Sequence, residues 1–171
     1  MSLFVQTTPP SAPKTENVRI VALVYAGFLV LMAVGQLYGF EKFIPLLQSF
    51  WLPGGATLAT LLAGLIVTLE VFALPFLLRM QLSPLMRWVS MYAGILVACI
   101  WIFLSVWANA TDNVLDNIGL LGVKVSLPVG WWAVLLTMAL FVLVVWSAWG
   151  MWPASSRKIE AARLSKPSLR L

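Results

Sequence analysis

Ala56–Leu78 reads ATLATLLAGLIVTLEVFALPFLL, twenty-three residues of almost unbroken apolar character with one carboxylate, Glu70, inside. A helix of that length crosses the roughly 30 Å hydrocarbon core of a bilayer. A carboxyl group within it is costly in hydrocarbon, so it needs a partner, a water-filled cavity, a proton or a lipid boundary. The stretch marks an integral membrane protein.

Three further apolar runs flank it. The first begins at Ile20 and gives a span at 19–38; the third runs over 88–108; the fourth opens at Leu127-Pro128 and closes at Trp152. Pro128 suits the first turn of a helix, where its missing N–H breaks no internal bond. A fourth span of 127–152 would be about 39 Å long and would tilt or protrude. Lys14 and Arg19 before the first run, with Ala33-Val34-Gly35 inside it, resemble a signal peptide. The long polar region ahead of the run favours an uncleaved span instead. The expected fold is therefore all-α: a four-transmembrane-helix bundle over 20–152 (spans about 19–38, 56–78, 88–108 and 127–152). A flexible Pro-rich arm at 1–19 precedes it and a basic tail at 153–171 follows. Between spans, Ile44–Phe50 reads as a short interfacial segment, and Pro53-Gly54-Gly55 reads as a turn. Ile118–Ser126 is ambiguous between turn and strand.

Composition agrees. Of 171 residues, 61% are hydrophobic and 10% charged, against about 25% charged in soluble domains. The net charge of +5 is not a nucleic-acid signal, because five of the eleven basic residues (Arg157, Lys158, Arg163, Lys166 and Arg170) lie in the tail. With Lys14, Arg19, Arg79 and Arg87 they put nine cations on the side of the arm, the 79–87 connection and the tail. Lys42 and Lys124 alone face the other way. Nine against two predicts both termini cytoplasmic, here in a bacterial inner membrane, with anionic lipids near the tail. The chain has no His and a single Cys99, so a metal centre, a redox thiol pair and an intrinsic cofactor are not expected. Asp112 and Asp116, four apart, read as a solvated cap rather than a cation site.

Glu70 is the centre of any candidate site. Its own helix offers no basic partner, and Tyr25, Gln36, Tyr92, Ser105 and the Glu41/Lys42 pair are the polar groups within reach of the spans. Tyr92 is the expected partner, since counting residues puts it in the same half of the membrane. A cofactor-binding reading joins Glu70, Tyr92 and Trp101 in a quinone or lipid site, with aromatics for stacking and Glu70 for proton exchange. The plainer reading is a protonated or hydrogen-bonded structural Glu that locks the bundle. Small-residue stripes, Thr60/Gly64/Thr68 in span two and Gly94/Ala98 in span three, predict close helix packing.

Gly35-Gln36-Leu37-Tyr38-Gly39-Phe40-Glu41-Lys42-Phe43 and Gly64-Leu65-Ile66-Val67-Thr68-Leu69-Glu70 together resemble the DoxX-like membrane proteins, including the methylamine-utilisation branch. Lys42, Gly64 and Glu70 are the matching positions, within a resemblance over roughly 20–150. It implies a four-helix membrane bundle with an accessory role around oxidoreductases, sometimes in thiosulfate–quinone chemistry. The lone Cys99 departs from redox-active relatives. The expected function is a non-catalytic accessory or assembly subunit of a larger energetic or redox membrane complex. The alternatives are a quinone-associated subunit of a membrane oxidoreductase and a small homo-oligomeric transporter.

Overall fold

The computed structural model describes residues 12–111 and 115–152. Most of the expected arm, the whole tail and Asp112 of the Asp112/Asp116 pair lie outside the described residues. The rest forms five helices: α1 Glu16–Tyr38, α2 Phe40–Gln48, α3 Gly55–Leu77, α4 Pro84–Ala110 and α5 Trp131–Met151. α1, α3, α4 and α5 are long and apolar enough to cross a membrane. They close a ring in which α1 packs on α3, α3 on α4, α4 on α5 and α5 on α1, while α2 lies against α3.

The ring is lined with small side chains. Ala22, Ala26 and Ala33 of α1, Ala59, Ala63 and Ala73 of α3, Gly94 and Ala98 of α4, and Ala133 and Ala148 of α5 are all buried. Between helices in lipid there is no hydrophobic drive, so close backbone approach and interhelical hydrogen bonds supply the association. Many large apolar residues point outward, Leu31, Leu61, Phe103 and Leu135 among them. A water-soluble bundle does not present such a surface; hydrocarbon accommodates it. The fold is an all-α bundle of four spanning-length helices, in keeping with a multi-pass membrane protein.

The expected stripe Gly94/Ala98 does face the interior. A Cβ on Gly94 would sit 3.3 Å from Val144 Cγ2 and 3.4 Å from Ala73 Cβ. Thr60 and Thr68 face outward, and their hydroxyls donate back to Ala56 O and Gly64 O of their own helix. Ala59 and Ala63, one position round the helix, do the packing.

Helix ends follow local chemistry. Ser83 caps α4, its hydroxyl accepting from Met86 N at 3.3 Å, with Pro84 in the first turn; this starts the helix four residues before the expected 88. α3 ends with Arg79 at φ 57, Met80 N donating to Pro75 O and Arg79 N to Phe76 O. That is the six-to-one and five-to-two pairing of a Schellman close. Within α3, Pro75 interrupts the backbone ladder. The Phe76 N–H turns to Ser90 Oγ of α4 at 3.0 Å, and the Ser90 hydroxyl donates to Ala73 O at 3.3 Å. A serine of the neighbouring helix thus bonds the α3 backbone on both sides of the proline.

The fourth span also starts away from expectation. α5 starts at Trp131, not 127, and its 21 residues rise about 31 Å, close to a bilayer core. Leu127–Gly130 cannot join it because Leu127 is held by the preceding loop: its O accepts from Ile118 N at 2.7 Å and its N donates to Asn117 Oδ1 at 3.1 Å. Residues 115–130 form neither helix nor strand.

Candidate functional site: a buried carboxyl, carboxamide and indole

Glu70 lies on the buried face of α3 shared by Ala63, Ile66, Val67 and Ala73, and is 0% exposed. Its Oε1 accepts two hydrogen bonds, from Gln36 Nε2 of α1 at 3.0 Å and from Trp101 Nε1 of α4 at 3.3 Å. Both donors are neutral. The Gln36 amide also donates to Leu120 O at 3.2 Å, so its N–H groups are both used. Three spanning helices therefore meet at one carboxyl group, and the 115–130 loop joins them through Gln36. Gln36 Oε1 and Glu70 Oε2 have no partners among the described residues.

The loop reaches this depth because Asn117 folds it. Its Oδ1 accepts from Gly119 N at 2.9 Å, in the Asx pattern, as well as from Leu127 N, and its Nδ2 donates to Gly122 O at 3.0 Å. Gly119 and Gly122, at φ 80 and φ 76, take conformations that glycine adopts freely. Gly122 then lies on the backbone of Gly35, and a Cβ on Gly35 would stand 2.5 Å from Leu121 O. With that contact made, Ile118 and Leu120 are buried and the Leu120 carbonyl is presented to Gln36.

Of the three residues expected at the site, the fold brings Glu70 and Trp101 together and leaves Tyr92 apart. Tyr92 is 55% exposed and stacks on Trp88, with ring centroids 5.4 Å apart. Tyr92 and Trp101 are nine residues apart on one helix, which turns them to opposite faces. Tyr92, Trp88, Thr68, Phe72 and Cys99 instead line an open apolar groove of about 590 Å³ between α3 and α4. Neither Glu70 nor Trp101 lines it. Among the other polar candidates, Tyr25 donates to Gly94 O at 2.8 Å and Ser105 to Trp101 O at 2.7 Å. Glu41 and Lys42 are exposed beside Lys124 in a separate cavity of about 710 Å³.

Gln36 and Leu120 are the members that the choice of Tyr92 passed over. Gln36 carried a signal, as the one amide in an apolar run; a backbone carbonyl carries none. Among the described residues, no group of three or more His, Cys, Asp or Glu side chains could hold a metal ion. No protein-family model, curated protein or solved structure matches the chain.

Proposed function

We propose that this chain is a non-catalytic accessory or assembly subunit of a larger bacterial energetic or redox complex. In this reading it spans the inner membrane four times, with both termini cytoplasmic. The observation that carries the reading is the enclosure of Glu70. The acid within the spans is sealed in the bundle and tied to α1, α4 and the 115–130 loop, a position suited to holding helices together rather than meeting a substrate. The outward faces are apolar and suit lipid or the spans of other subunits. The nine-against-two distribution of cations supports the orientation, and the DoxX-like resemblance of 35–43 and 64–70 agrees with an accessory role.

The α3/α4 groove favours a second reading, a subunit that accommodates a quinone or lipid. An aromatic pair, Trp88 and Tyr92, lies at an apolar surface there. Glu70 does not reach that groove, so proton exchange with a molecule seated in it is not supported. Gentle isolation of the tagged native protein, with mass spectrometry of the intact assembly and its bound small molecules, tests both readings. A stoichiometric set of larger subunits is expected. A lone homo-oligomer carrying quinone would overturn the accessory reading and favour the second.

A further inference from the structure

Gln36 Oε1 and Glu70 Oε2 are both acceptors, both buried and both without partners among the described residues. They belong to one hydrogen-bonded pair, since Gln36 Nε2 donates to Glu70 Oε1 at 3.0 Å. Two acceptors cannot satisfy each other; one hydrogen shared between them satisfies both. We propose that Glu70 is a proton-binding site in the bundle core, carrying its proton on Oε2 and donating it to Gln36 Oε1. Acid and carboxamide then pair through two hydrogen bonds, and Trp101 and Leu120 complete the remaining donor and acceptor positions.

Two other occupants fit the same atoms less well. A water molecule could donate to both oxygens, but it would leave an anion among neutral side chains in the membrane interior. A hard cation such as Ca²⁺ or Mg²⁺ takes six or more oxygen ligands, and softer metals take the His or Cys ligands that this site lacks. Here the Leu120 carbonyl is already engaged by Gln36, and the Trp101 indole presents a donor. The Tyr25 hydroxyl is spent on Gly94 O. The proton neutralises the carboxylate and removes both unpaired atoms at once. The inference concerns the bundle core and is independent of the assembly reading; an ionised Glu70 would leave that reading untouched.

Infrared spectroscopy of the full chain in lipid bilayers at neutral pH is the test. The variant E16Q/E41Q/E160Q leaves Glu70 as the sole glutamate, so glutamate labelled with carbon-13 at the side-chain carboxyl reports it alone. A carboxylic-acid carbonyl band with no carboxylate bands is the expected result. Carboxylate bands would overturn the proposal, whether or not they respond to sodium. As a second readout, E70Q should keep the thermal midpoint of the parent, because its amide N–H replaces the acid O–H toward Gln36. A loss of stability in E70Q well beyond the cost of one unpaired amide N–H would also overturn it.

Discussion

Trp101 is fully buried, and its indole N–H supplies one of the two hydrogen bonds that Glu70 receives. Replacing it with phenylalanine keeps an aromatic ring in the core but withdraws the donor. Trp101→Phe should cost about 1–3 kcal/mol, the range for leaving a buried polar group less satisfied. Thermal unfolding in detergent micelles would measure it. Tyr92→Phe, on the outward face of the same helix, should leave the midpoint unchanged; equal losses would refute the geometry. Much of this site was legible residue by residue. Glu70 announced itself as a charge in an apolar run, and Trp101 was among the candidates. The partner was mistaken because distance from a helix end was used where rotation about the axis decides. Nine residues separate Tyr92 from Trp101, which places them on opposite faces whatever their depth. Gln36, near the end of α1, was among the polar groups within reach but was not chosen. Its long side chain and the offset between helices bring it to Glu70.

At the scale of the element, Pro75 and Ser90 act as a pair. The serine hydroxyl bridges the α3 backbone across the proline, accepting from Phe76 N and donating to Ala73 O. Ser90→Ala should destabilise the bundle by about 1 kcal/mol. In a Pro75→Ala background, where the α3 ladder can close on itself, that cost should fall toward zero. A double-mutant cycle on thermal stability reads the coupling; equal costs in both backgrounds would show the two residues to be independent. Helix existence was legible from apolar length alone, and all four spans begin and end within four residues of where the sequence placed them. The cause of the later start of α5 was not legible. Pro128 is a plausible first-turn residue, but Leu127 is committed to Asn117 and Ile118. Such a bond between distant loop segments leaves no periodic trace in a sequence.

For the molecule as a whole, the outward Leu, Phe and Trp surface and the cation asymmetry set its relation to the bilayer. The proposed orientation can be checked in a C99A background with single cysteines. K124C should react with an impermeant maleimide in intact cells, and Q81C, in the connection between α3 and α4, only after permeabilisation. The opposite pattern would invert the topology and with it the cytoplasmic placement of the termini.

The hydrogen bonds of the central network also carry an order in time. A membrane chain leaves the ribosome from its N-terminus, so partners close in sequence can meet first. Gln36 and Glu70 are 34 residues apart, and Trp101 follows Glu70 by 31. Leu120 comes 84 after Gln36, and the Lys14 contact with the Trp149 carbonyl spans 135. On that order the acid meets its amide once α3 enters the membrane and its indole with α4, and the amide meets the loop carbonyl later still. Last of all, Lys14 fastens onto the end of α5, over the Trp149 ring at 4.2 Å. Each newly inserted segment meets a partner already waiting, so the costliest group in the chain spends little of its synthesis alone in lipid.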